Sequence, residues 1–207
     1  MTDLRSHADS VLLQLSKMKR WDESSKVILE KANLLRTERN GLCGSLFFVG
    51  IHHARAITLL IQHRRYTSSL ALLRPLIEAF FRAGWIKYCS TEAQLELLLN
   101  GQDLPGTTAR RSRQLAKIKP HYGRIDAQIT RIFGNTLHEL THGGSEQIFN
   151  QSDGITITDA HDLSNVYLAL KTVSLIWYFC IAELLDSSIP KDLLIELQAA
   201  RTRDFDI

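Results

Sequence analysis

His138 and His142, two imidazoles four residues apart with Glu139 between them and Gly143-Gly144 directly after, form the stretch best equipped for chemistry in this 207-residue chain. Four residues is close to one helical turn, so both rings share a face. Neutral imidazoles at that spacing can hold one tetrahedral Zn²⁺ while the intervening carboxylate takes a proton from the bound water. The longer zinc-peptidase pattern would require glycine where Ser145 stands and a third histidine where Ile148 stands. Glu183 and Asp186 offer a downstream acidic pair, and His161 a further imidazole. Glu183 equally suits a core salt bridge, because it lies in an apolar run.

The same histidines belong to a longer polar stripe. A helix from about Gly123 to His142, wound at about 100° per residue, gathers Arg124, Arg131, Asn135, His138 and His142 in one sector. Ile125, Ile129, Phe133, Thr136, Leu137 and Leu140 fall on the far side, and Glu139 sits at the edge of the stripe. The plainest account is a solvated face whose last-turn histidines complement the helix dipole. A chemical account uses Arg131 with His138, seven residues and almost two turns apart. His138 would act as general acid/base on a ribose 2′-hydroxyl or leaving oxygen, and Arg131 would stabilise the charged phosphorane. Asn135 and His142 would orient the phosphate or the imidazole. Such a set cuts RNA without a metal.

Arg131-Ile132-Phe133-Gly134-Asn135-Thr136-Leu137-His138 resembles the Arg-x(4–6)-His motif of the HEPN superfamily, with Ile132 where the motif usually carries a polar residue. The resemblance implies a small helical bundle and a dimeric, metal-independent ribonuclease of the toxin or phage-defence kind, with RNA as substrate and an antitoxin or other regulatory protein as partner. A second similarity lies in Leu72-Leu73-Arg74-Pro75-Leu76-Ile77-Glu78, taken with the later His142-Gly143-Gly144. A Leu-Leu-Arg-x-x-x-Glu helix with a downstream His-Gly-Gly helix end resembles uncharacterised bacterial all-helical families, HEPN-like in outline, over roughly residues 43–185. If the helices pack as in that bundle, Arg74 and Glu78 approach His138 and His142. By itself the Arg74–Glu78 pair reads as a partly buried ion pair that fixes helix register.

A local basic surface supports a phosphate ligand better than the net charge does. The formal charge of +3 is too small for a global nucleic-acid field. From Leu104 to Ile125, however, there is no acidic residue and there are six cations. Arg110, Arg113 and Lys117 lie on one helical face, and with Arg124 and Arg131 they form a track for a phosphate backbone; a solvated basic helix is the alternative. Tyr122 is the segment's single aromatic, so base stacking is poorly supplied.

The elements that must position these groups are helical throughout. Apolar spacing predicts a first helix over Leu4–Met18 and a second over Val27–Leu35, closed near Asn40-Gly41. A third runs from about Cys43 to Arg65, where Gly44, Ser45 and Gly50 would allow close helix contact. A fourth, to about Cys89, is kinked or restarted at Pro75. Thr91 and Gln94 form a capping box; a basic helix ends at Lys119-Pro120. Asn150–Gly154 reads as a turn, Ile155–Thr158 as a stub of extended chain, Asp159 as the cap of a long apolar helix to Asp186, and Pro190 as the start of the last helix. The expected architecture is all-α: one antiparallel bundle with its core at about 43–186 and peripheral helices at 3–40 and 190–203.

Hydrophobic and charged fractions of 44% and 23% are those of an ordinary globular protein. Cys43, Cys89 and Cys180 sit in apolar stretches without paired spacing and read as reduced thiols, which favours the cytoplasm. The N-terminus has no basic-then-apolar leader pattern. The most apolar run, Val173–Leu185, contains Glu183 and is shorter than the roughly 20 residues a membrane span needs. The chain therefore reads as soluble, with no cofactor in the ribonuclease reading and zinc on His138 and His142 in the hydrolase reading. A third reading is a non-catalytic interaction or ligand-binding module, its stripe a dimer or partner surface.

Overall fold

A computed structural model describes residues 2–103, 106–134, 136–137 and 161–206. The architecture is all-α. In chain order the elements are α1 (Thr2–Lys31), β1 (Asn33–Leu34), α2 (Glu38–Gln62), α3 (Tyr66–Ala71), α4 (Leu73–Tyr88), α5 (Glu92–Leu99), α6 (Thr108–Ile118) and α7 (Pro120–Phe133). Further along come α8 (Leu163–Asp186), β2 (Ser188–Ile189) and α9 (Leu193–Phe205). The two short strands pair antiparallel, Asn33 opposite Ile189 and Leu34 opposite Ser188, and tie the end of α1 to the end of α8.

α8 is the axis of the bundle. Val166, Leu170, Val173, Trp177, Ile181 and Leu184 are buried along its length, and it packs against α1, α2, α4 and α9. α2 lies across α4, and Gly50 lets α2 approach α8 closely: a Cβ there would stand 2.9 Å from Cys180 Sγ. α6 packs on α4 and α7 on α6, forming a second layer on one flank. Arg39, at the start of α2, donates from Nη1 to the carbonyls of Ile86 and Ser90 and so satisfies carbonyls at the C-terminal end of α4.

Several helix boundaries differ from those read in the sequence, each for a local reason. The two expected N-terminal helices are one 30-residue rod, because Met18, Trp21, Ser25 and Ile28 keep a buried stripe running through the intervening polar residues. That rod is not peripheral: Trp21 and Met18 are fully buried, and Trp21 packs against Tyr178 of α8 and Phe205 of α9. Asn40-Gly41 opens α2 rather than closing the preceding helix, since the Thr37 side chain accepts from the Asn40 amide as an N-cap. The break expected at Pro75 falls at Leu72, which places Pro75 in the first turn of α4, where a missing N–H goes unused. Asp162, not Asp159, caps α8 by accepting from Ser164. Pro190 follows β2, and the last helix starts three residues later at Leu193. The predicted turn at 150–154 and extended stub at 155–158 lie outside the described residues.

Among the described residues two helices, Glu38–Gln62 and Leu163–Asp186, are long and apolar enough to cross a membrane by length and composition. Both are central elements of the bundle, and the second carries the buried carboxylate described below.

Candidate functional site

One flank of the bundle opens into a cleft of about 1000 Å³ between α4, α6 and the end of α7. α4 lines it with a charged row. Arg74, Glu78 and Arg82 follow one another at four-residue spacing, one per turn, while Leu73, Ile77, Phe80, Phe81 and Gly84 are buried. Arg74 Nε donates to Glu78 Oε1 at 2.8 Å, with the two side chains 32% and 47% exposed. The pair is half-buried, as its apolar sequence neighbours suggest, and it faces the cleft. Arg82 Nη2 donates at 2.5 Å to Asp103 Oδ1, which comes from the loop before α6. Arg111, on α6, completes the set. Burial first, and then the nearby Arg82 charge, pull its pKa below the usual guanidinium value, while Asp103 and Glu78 oppose the shift. Gly106, Thr107, Thr108 and Ala109 bring the N-terminus of α6 to the same wall, with the Thr107 side chain capping it.

α6 and α7 turn their cations outward. Arg110, Arg113 and Lys117 are exposed, whereas Ser112 and Leu115 are buried against α4. On α7, Arg124 and Arg131 are exposed and seven residues apart; Tyr122, Ile125, Ile129 and Phe133 form the buried side. The five expected phosphate-track residues are thus all at the surface.

The single rod expected from Gly123 to His142 does not form. α7 ends at Phe133, and Gly134 caps it with φ 51° and ψ −124°, a conformation glycine adopts far more readily than any residue with a Cβ. Thr136 and Leu137 are helical again beyond that break. The continuous helix face expected from Arg131 onwards is therefore interrupted at Gly134. Asn135, His138, Glu139 and His142 lie outside the described residues. Gly134 and Leu137, the two described positions between Arg131 and His138 that border the cleft, do form part of its wall.

A second polar cluster sits where α4, α7 and α8 meet, and sequence patterning missed most of it. Glu183 is buried in α8. Lys87 Nζ donates to its Oε2 at 2.9 Å, to its backbone carbonyl at 2.7 Å and to Asp186 Oδ2 at 2.9 Å. The Tyr88 hydroxyl donates to Glu183 Oε2 at 2.6 Å, and His121 Nε2 lies 3.2 Å from Oε1. Lys119 lies 4.7 Å from the centroid of the Tyr88 ring, and His121 stacks on Phe179. Burial alone would push the Glu183 carboxyl up. The His121 contact, the Lys87 charge and the Tyr88 and Lys87 hydrogen bonds outweigh it and hold the pKa down at about 2. Burial and then the Glu183 charge raise the Tyr88 and Cys180 pKa values.

The acidic pair Glu183/Asp186 is thus held by an ammonium group, the core ion pair that an isolated glutamate in an apolar helix required. That requirement was the available signal. Nothing in the periodicity marked Lys87, Tyr88 or His121 as its partners. Among the described residues no group of three or more His, Cys, Asp or Glu is placed to hold a metal. His161, considered as a ligand, instead lies 2.9 Å from Thr67 Oγ1 and packs edge-on against Tyr66. His52 is exposed on α2, and neither it nor His53 is among the residues lining the cleft.

No curated protein and no solved structure matches the chain. Residues 47–188, from the middle of α2 to β2, match a family model, and that span takes in the Glu183 cluster and every described cleft residue except Leu46, while leaving out α1 and α9. The chain belongs to this family, which is described as a family of unknown function (DUF6988).

Proposed function

We propose that this protein is a metal-independent endoribonuclease of HEPN-like type, acting as a homodimer in the cytoplasm in a toxin or phage-defence role under the control of an antitoxin or similar regulator. The observation that carries the reading is the arginine-lined cleft, whose wall includes Gly134 and Leu137. Arg131 lies three residues before the first, and His138 follows the second directly. An RNA backbone would lie along the exposed Arg110, Arg113, Lys117 and Arg124 and enter the cleft beside this segment. His138 would move the proton of the 2′-hydroxyl or leaving oxygen, Arg131 would stabilise the phosphorane, and Asn135 and His142 would orient them. The three free thiols are in keeping with a reducing compartment.

The test is cleavage of a labelled single-stranded RNA in the presence of a chelator. His138→Ala and Arg131→Ala should each slow cleavage by about a hundredfold or more, the contribution usual for a positioned acid/base or an electrostatic stabiliser. A His138→Ala protein that cuts as fast as the parent removes the reading. Cleavage lost on chelation and restored by zinc would instead support the hydrolase built on His138, Glu139 and His142. RNA binding without cleavage would leave a binding module.

A further inference from the structure

The Arg82–Asp103 pair is lopsided. The arginine side chain is 31% exposed and fixed on α4, whereas the aspartate is 86% exposed and hangs from the loop between α5 and α6. An ion pair with one partner almost wholly in water is weak and readily exchanged. Gly101 and Gly106, on either side of Asp103 in sequence, have φ of 75° and 119°. Arg111 approaches from α6 closely enough to feel the Arg82, Asp103 and Glu78 charges. Arg82, from α4, is paired to this exposed carboxylate, and Arg111, from α6, lines the same end of the cleft. A phosphate group, with more acceptor oxygens and more charge, fits between such forks better than a carboxylate does.

We propose that the Arg82–Arg111 end of the cleft is a subsite for one phosphate of the bound RNA strand, and that Asp103 occupies it in the free protein as an internal anion the strand displaces. This rests on the reading that RNA enters the cleft. Among the described residues, Arg74, Arg82 and Arg111 line the cleft with Glu78 and Asp103, and turning Asp103 out removes one of those negative charges. Among the described residues no aromatic ring lines the cleft. The described lining is therefore built to grip the backbone through its guanidiniums rather than to stack a base.

Two probes test this on the full chain: inorganic pyrophosphate, followed by thermal shift, and a short fluorescein-labelled single-stranded RNA, followed by anisotropy. Asp103→Asn should tighten both by roughly three- to tenfold, as removal of one competing charge at a phosphate site requires. Arg82→Gln should weaken both, and in that background Asp103→Asn should add nothing. Glu30→Gln, the same charge change on α1, should leave both affinities where they were. Unchanged pyrophosphate affinity in Asp103→Asn overturns the subsite, even if the protein cuts RNA. Equal tightening with or without Arg82 also overturns it, because the effect is then one of net charge. Tightened pyrophosphate binding with no RNA binding keeps the anion site but removes RNA as its source, and with it the ribonuclease reading.

Discussion

Replacing Glu183 with glutamine should remove a defined part of this protein's acid sensitivity. In the folded chain the carboxyl is held at about 2, against an ordinary value of 4.5. At about 1.4 kcal/mol per pH unit of displacement, the ionised group contributes about 3 kcal/mol to stability. Because the folded-state pKa is the lower one, that contribution is present in full above about pH 4.5 and is lost as the pH falls towards about 2. The neighbouring Asp186, also held low against burial by Lys87, acts in the same direction. Urea unfolding followed by far-UV circular dichroism, from pH 7 down to about pH 3, measures the effect. At neutral pH, Glu183→Gln should be less stable by about 3 kcal/mol. Lys87 then lacks one of its two carboxylates, but it keeps Asp186 and the Glu183 backbone carbonyl, so the loss stays at the low end for a broken buried pair. Its stability should also fall less steeply with acid than that of the parent, the two curves converging at low pH. Parallel curves would mean that Glu183 titrates alike in the folded and unfolded chain, and the account of the cluster would be wrong.

Two further outcomes follow from exposure and burial. Changing Arg110, Arg113 and Lys117 together to glutamine should flatten the dependence of log affinity for single-stranded RNA on log salt by about two, at about 0.7 for each phosphate left unneutralised. Binding measured across a salt series checks this, and an unaltered slope takes the strand off α6. Cys43 and Cys180, buried with pKa values raised first by desolvation, should react with a thiol reagent only as fast as the chain opens. Fast stoichiometric labelling of either in the native protein contradicts their placement.

The apolar spacing of α2, α4 and α8 and the capping box at Thr91 made the bundle legible, because burial of one helical face is a local property of sequence. Helix ends were less so. Asn40-Gly41 has the composition of a terminator, yet the Thr37 cap three residues upstream makes it a first turn; Gly134 sits inside a long amphipathic pattern, yet ends the helix at a positive φ. The exposed cations of α6 and α7 could be read, since nothing apolar competes for their face. Arg82, Arg111 and Asp103 could not be assembled, because they come from three elements and meet through the packing of α6 on α4. The same holds for Lys87, Tyr88 and His121 around Glu183: the carboxylate announced a need for partners without naming them.

The cluster and the cleft are joined by the same two helices, and that connection can be tested. α4 carries Arg74, Glu78 and Arg82 along the cleft and ends in Lys87 and Tyr88 at Glu183. α7 starts with His121 at Glu183 and ends, about 20 Å along its axis, at the cleft-wall residue Gly134. Tyr122 pins the two helices together near the cluster. Its ring stacks 4.9 Å from Phe80, and its hydroxyl fills the notch at Gly84, where an added Cβ would overlap it. The hydroxyl is buried and faces Glu183 without forming a hydrogen bond of good geometry, and burial with the Glu183 charge raises its pKa. Gly84→Ala must therefore push α7 away from α4. The overpacking costs about 1–3 kcal/mol, offset in part by the roughly 0.5–1 kcal/mol that alanine gains over glycine within a helix. Tyr122→Phe should change stability by no more than about 1 kcal/mol, because it removes both a buried polar atom without a well-formed hydrogen bond and its weak interaction with Glu183. It should rescue Gly84→Ala only partly, since the ring carbon Cζ would still lie 2.5 Å from the new methyl group. If α7 behaves as a rigid lever, Gly84→Ala also weakens pyrophosphate binding at the distant cleft, while Tyr122→Phe leaves it intact. Loss of stability without any change in cleft affinity would show that the two sites merely share helices and are not mechanically coupled.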